Sequence, residues 1–140
     1  MTFLNINKID ILLISESHFT NLTVFKMPQY NAYNTPHPDG TTHGGTTLII
    51  CKTISHYELP SYQTNKIQAT IVEVKAMFWR FTVAAIYSPP RHNISTDEYK
   101  DFLQTLGNRF LVRGDWNAKH TQWGSRLTTM KERNLWRAIE

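Results

Sequence analysis

Between Lys66 and Tyr87 the chain carries two strand-like runs back to back, KIQATIVEVK and WRFTVAAIY, and this pair limits the fold more than any other stretch. The first alternates with period two, as a strand with two unlike faces must. The second is more continuously apolar, and Ala76-Met77 between them reads as a hairpin turn. Ser88-Pro89-Pro90 must then stop the second strand, because neither proline can donate to a ladder.

The flanking segments fill in an order. Residues Ile9 to Ser15, IDILLIS, form a short isoleucine-rich run that suits a strand buried on both faces, and TTLIICK from Thr46 predicts another. Between them, Phe19 to Gly45 is rich in Asn, Thr, Pro and Gly and reads as one long irregular connection, a length that in a compact domain is usually functional. Ser95 and Glu98 make a capping box for a helix that runs to Gly107, with Tyr99, Phe102, Leu103 and Leu106 on one face. RFLV from Arg109 is a strand, and Thr129 with Glu132 opens a second helix carrying Leu135, Trp136 and Ile139. Consecutive strands followed by strand–helix alternation predict an α/β fold of the α+β kind. Two packed sheets with helices outside fit better than one doubly wound sheet. A chain of 140 residues with 41% apolar content has enough material for one such domain.

Charge and cysteine usage narrow the setting. The net charge of +4 favours polyanionic partners such as nucleic acid, although Lys and Arg are scattered. The single cysteine, Cys51, excludes an intrachain disulfide and a cysteine-based zinc cluster. It sits in an apolar run and reads as a buried, inert thiol. No run is long enough to cross a membrane, and no secretory leader pattern is visible, so nucleus or cytoplasm is expected.

Three apolar strands stop at polar residues: ILLIS at Glu16, FTVAAIY at Tyr87 and then Arg91, and RFLV at Gly114-Asp115-Trp116-Asn117. Ligands in sheet proteins bind beyond strand ends, where loops hold polar groups on a rigid base. If these ends converge, they supply an oxygen set suited to magnesium and to phosphodiester hydrolysis. Glu16 would bind the metal and Asp115 would orient or deprotonate water. Asn117 and Tyr87 would donate to phosphate oxygens. Taken singly, each residue is an ordinary strand-end cap or turn residue. His37, Asp39 and His43 in HPDGTTHGG loosely suggest a metal site, but on a loop without a cysteine partner they read as a solvated loop. Nothing assigns His120 a role, and Trp79, Trp116, Trp123 and Trp136 read as core or edge packing.

With ILLISESHFT, YNTPHPDGTTHGGTTLII, AAIYSPPRH and GDWNAKHTQWGSRLTT in order along it, the chain resembles the endonuclease/exonuclease/phosphatase superfamily of apurinic-endonuclease-like nucleases. More closely, it looks like the endonuclease domain of jockey-type non-LTR retrotransposons. The resemblance implies a four-layer α/β/β/α sandwich of two mixed sheets flanked by helices, using Mg2+ with Mn2+ as a substitute. It implies nicking of target DNA, with the exposed 3′ hydroxyl priming a polymerase region of the same polyprotein. By motif, Glu16 matches the metal-binding glutamate, Tyr87 the active-site tyrosine, and Asp115 and Asn117 the Asp-x-Asn pair. The family pattern also has a first strand bearing an asparagine and a final Ser-Asp-His segment. Neither lies within residues 1–140, so the chain reads as a single incomplete domain with weak or no activity of its own. The alternatives are a non-catalytic relic holding DNA through Arg91, Arg113, Lys119 and Arg126, or a phosphodiesterase for a small substrate.

Overall fold

The structure is a computed structural model that describes residues 3–23, 26–119, 121 and 124–140. In chain order the elements are α1 (Phe3–Ile6), β1 (Ile11–Ser15), β2 (Tyr30–Thr35), β3 (Thr46–Cys51), β4 (His56–Glu58), β5 (Tyr62–Gln63), β6 (Gln68–Lys75), β7 (Arg80–Tyr87), α2 (Thr96–Thr105), β8 (Phe110–Asp115) and α3 (Met130–Ile139). The smaller sheet has the order β1-β3-β2, antiparallel throughout. The larger runs β4-β6-β7-β8 with β5 also on β6, and only the β7–β8 pair, joined through α2, is parallel.

Period-two alternation sorts the apolar residues into three layers. Leu48 and Ile50 of β3 face Val72 and Val74 of β6 and Val83 and Ala85 of β7, forming the core between the sheets. The alternate residues of β6 and β7, Ala69, Ile71, Ala84 and Ile86, pack against Tyr99, Phe102 and Leu106 of the α2 region and Leu135 of α3. On the far side, Ile49, Tyr30 and Leu4 make a third cluster beneath α1. This is the α/β/β/α layering expected from the sequence. Ser95 closes its capping box with Glu98 (Glu98 N to Ser95 Oγ 3.1 Å, Ser95 N to Glu98 Oε2 2.8 Å). At α3, the Glu132 carboxylate reaches back to the Thr129 N–H at 3.0 Å. The hairpin turn spans Ala76 to Trp79, closed by Ala76 N to Trp79 O at 2.9 Å.

Several expectations are corrected. The Phe19–Gly45 connection is not wholly irregular, because YNAYNT forms β2 inside it. Beside the apolar packing of Tyr30, Ala32 and Tyr33, polar contacts hold this strand: Thr47 Oγ1 donates to Asn34 at 3.1 Å, and the Tyr33 hydroxyl lies 3.0 Å from His56 Nε2. The short strands β4 and β5 pair with β6 where a plain connection was expected. The strand beginning with RFLV continues through Gly114 to Asp115. β1 is half-buried rather than fully enclosed; among the described residues it pairs only with β3. Cys51 is likewise half-buried, its thiol 3.1 Å from Thr53 Oγ1. Trp116 packs on Tyr99 and Phe102, whereas Trp79 is exposed and leans on Phe81. His120 and Trp123 lie outside the described residues.

Candidate functional site

The ends of β1, β7 and β8 meet at one rim of the sandwich. Parallel pairing places Tyr87 beside Asp115. The tie to the other sheet is Ser15, the last residue of β1. Its hydroxyl donates to Ile86 O at 2.9 Å and accepts the Asp115 N–H at 2.9 Å. One side chain therefore bonds to β7 and β8 at once, bringing Glu16 up to Tyr87. Gly114 makes this approach possible, since a Cβ there would lie 1.9 Å from Ile86 O and 2.6 Å from Ser15 Oγ.

Just beyond the strands the backbone turns sharply. Glu16 and Asn117 adopt left-handed conformations, with φ of 52° and 46°. Asparagine tolerates this region, but glutamate pays a steric penalty that the surrounding structure must hold in place. The Tyr87 hydroxyl donates to Glu16 Oε1 at 2.7 Å. Burial, then the bond to Glu16, then the negative charges of Glu16 and Asp115 push the Tyr87 phenol up to about 12, against a smaller pull from Arg91. At neutral pH the phenol keeps its proton and is a hydrogen-bond donor. Asp115 Oδ1 accepts the Asn117 N–H at 2.8 Å, and Asn117 Nδ2 donates to Ser88 O at 3.0 Å. The rim thus gathers Glu16, Tyr87, Asp115 and Asn117. Its carboxylate oxygens are a hard donor set that fits Mg2+ or Mn2+.

Two supporting residues escaped the sequence reading. Ser15 looked like the tail of an apolar run. Lys131 is buried in α3, where its Nζ donates to Pro89 O at 2.8 Å and Ser88 O at 3.3 Å. Burial lowers its ammonium to about 8, although Asp115 pulls the other way. Lys131 could have been noticed one helical turn before Leu135, on the face that packs inward.

The basic residues are less concentrated. Arg91 is exposed near Tyr87, and its Nε–H donates to His92 Nε2 at 3.2 Å. Burial, followed by the charges of Arg91, Lys131 and Lys66, holds His92 below the usual imidazole range, so it accepts that bond as a neutral ring. Lys119 is exposed beside Asn117 and lines a cavity with Asp115 and Trp116. Arg113 is exposed in β8, opposite Ala85, and Arg126 is exposed in the segment leading to α3. Neither is hydrogen-bonded to the rim among the described residues. The HPDGTTHGG loop is not simply solvated, since His37 is only 3% exposed.

Comparison with solved structures gives the class first. The endonuclease domain of TRAS1, a telomere-specific non-LTR retrotransposon, superposes with a TM-score of 0.76 at 22% identity, over 97% of this chain and 59% of that one. The fold is therefore the two-sheet sandwich of that domain. The family model described as endonuclease-reverse transcriptase matches residues 81–140. An RNA-directed DNA polymerase from the mobile element jockey of Drosophila funebris is 35% identical over 123 residues, covering 88% of this chain and 13% of that protein. The probable RNA-directed DNA polymerase from transposon X-element of Drosophila melanogaster is 34% identical over 124 residues, covering 88% of this chain and 14% of that protein. Together these matches support placing the chain with the endonuclease/exonuclease/phosphatase-type endonuclease domains of non-LTR retrotransposons. It spans about one-seventh of the length of these curated relatives.

Proposed function

We propose that the rim around Tyr87 nicks DNA by phosphodiester hydrolysis, and that the nick primes reverse transcription by a polymerase region of a parent polyprotein. The observation that carries this reading is the Ser15 junction, which brings a carboxylate from one sheet against a phenol and a carboxylate from the other.

Glu16, with Asp115 nearby, would hold Mg2+ or Mn2+, and the bound ion would supply charge stabilisation at the phosphate. Asp115 orients the attacking water and takes its proton. Its carboxylate is fixed for this by the Asn117 N–H. Tyr87, protonated at working pH because its phenol is pushed up to about 12, would turn its single O–H from Glu16 to a phosphate oxygen when the substrate is bound. Asn117 spends one amide N–H on Ser88 O, which leaves the second for the phosphate. Arg91, whose charge acts on this hydroxyl, is the cation for a phosphate's charge, and Lys119 and Arg126 contribute contacts to the DNA backbone.

The test is conversion of supercoiled plasmid to open circle with Mg2+ present. Nicking should fall by ~100-fold or more in Glu16→Gln and in Asp115→Asn. Nicking that survives both changes would refute the assignment. DNA retention that weakens steeply with salt, with no nicking in any variant, would favour a binding relic instead.

A further inference from the structure

We infer that His37, Asp39 and His43 form a binding site for a borderline-soft divalent cation of the Zn2+ class, distinct from the oxygen-lined rim at Glu16 and Asp115. One ligand atom from each of the three residues lies within 4.8 Å of the other two. His37 Nδ1 is 2.9 Å from Asp39 Oδ1, and His43 Nε2 is 3.5 Å from Asp39 Oδ2. The two imidazole rings sit 4.1 Å apart between centroids.

Counting protons shows what the cluster lacks. Thr41 Oγ1 lies 2.8 Å from Asp39 Oδ1 and also contacts His43 Nδ1. A carboxylate only accepts, so the single hydroxyl proton goes to Asp39. His43 Nδ1 must then donate to the hydroxyl oxygen. In the neutral ring this leaves Nε2 with a bare lone pair directed toward Asp39 Oδ2. At the other ring, His37 Nδ1 stands 2.9 Å from Asp39 Oδ1, where its N–H donates to the carboxylate and holds Asp39 in its charged form, so a cation bound here would take that proton's place. Two imidazole nitrogens and a carboxylate thus face a common centre that is occupied by a proton in the free chain and can take a cation instead. Two nitrogens and one oxygen suit Zn2+ and its neighbours, whereas Mg2+ prefers oxygen alone.

The site is also held in place. His37 is 3% exposed, so its ring is fixed by packing with Nδ1 turned to Asp39, while Nε2 has no hydrogen-bond partner among the described residues. Thr41 fixes both Asp39 and His43 from behind, as outer-shell groups do at metal centres. The loop closes on Gly40 N to His37 O at 3.0 Å, and its far end is pinned by His18 N to Gly44 O at 3.0 Å. Asp39 and His43 side chains are each 46% exposed, so solvent can fill the remaining coordination position. Gly44 next to His43 abuts the Tyr87 ring, where an added Cβ would lie 3.1 Å from the ring edge. An ion here would therefore stiffen the wall against which Tyr87 rests.

The experiment is calorimetric titration of the metal-stripped chain with Zn2+, followed by Co2+ for its visible absorption bands. One Zn2+ should bind per chain, and the melting temperature should rise with Zn2+ concentration. His43→Ala and Asp39→Asn, both at exposed positions, should each weaken binding by about tenfold or more. Glu16→Gln should leave it unchanged. Equal Zn2+ binding by wild type and His43→Ala would overturn the proposal, as would loss of binding in Glu16→Gln. Absence of any Zn2+-dependent melting shift or Co2+ band in the folded wild-type chain would overturn it as well.

Discussion

The Ser15 hydroxyl gives its one proton to Ile86 O and receives one from the Asp115 amide, so a single side chain satisfies two backbone groups in the opposite sheet. Ser15→Ala leaves both without that partner at a half-buried site, and a loss of about 1–3 kcal/mol in unfolding free energy is expected. Urea denaturation measures it, and an unchanged midpoint would mean that water replaces the hydroxyl. If the junction positions Glu16, plasmid nicking should fall further than the lost stability accounts for. In the sequence, Glu16, Tyr87, Asp115 and Asn117 were legible because each is polar chemistry placed just after an apolar run. Ser15 was not, because a serine closing such a run looks like an ordinary strand end. Its meaning depends on Gly114, which lies 99 positions further on and leaves the space that the hydroxyl fills.

At the level of elements, α3 is locked to the exit of β7 by Lys131, whose Nζ reaches two carbonyls that follow Tyr87. Its ammonium is lowered to about 8 from an ordinary value of 10.5. Between those limits the unfolded chain binds a proton that the folded chain does not. Folding stability from this group therefore rises with pH across the window from about 8 to 10.5, and the penalty for burying the charge is fully present below it. Comparing wild type with Lys131→Met by chemical denaturation at several pH values isolates the effect. Relative to the variant, wild type should gain about 1 kcal/mol per pH unit in that window. A pH-independent difference would mean that Lys131 titrates normally in the fold. Helices and long strands were readable from their caps and periods, but β2 was not. Its Asn31 and Asn34 look like loop residues, and their partners come from distant segments: His56 of β4 for Asn31, and Thr47 of β3 and Thr20 O for Asn34. A strand stabilised by polar cross-contacts gives no hydrophobic alternation to read.

On the scale of the whole molecule, the layering was legible because each long strand carries two apolar sets, one for each neighbouring layer. What the pattern did not reveal is which strand stands at an edge. Among the described residues β8 pairs only with β7, so it borders the larger sheet. Along it Phe110 is 42% and Leu111 56% exposed, and Phe110 lines a cavity with Ile139 of α3, itself 61% exposed. An exposed apolar edge strand is a template for association with other chains, and natural proteins often blunt it with lysine. Leu111→Lys should therefore lower concentration-dependent self-association, measured by light scattering or sedimentation velocity. More than half of Leu111 is already in water, so the change should cost no more than about 1 kcal/mol of stability. The control is Met77→Lys, at the exposed hairpin tip on the other side of β7, which removes an apolar group without touching the β8 edge. If both variants reduce association equally, general surface hydrophobicity drives it. If only Leu111→Lys does, the open β8 edge is the sticking point, and a chain segment that pairs with β8 should suppress association in the wild type too.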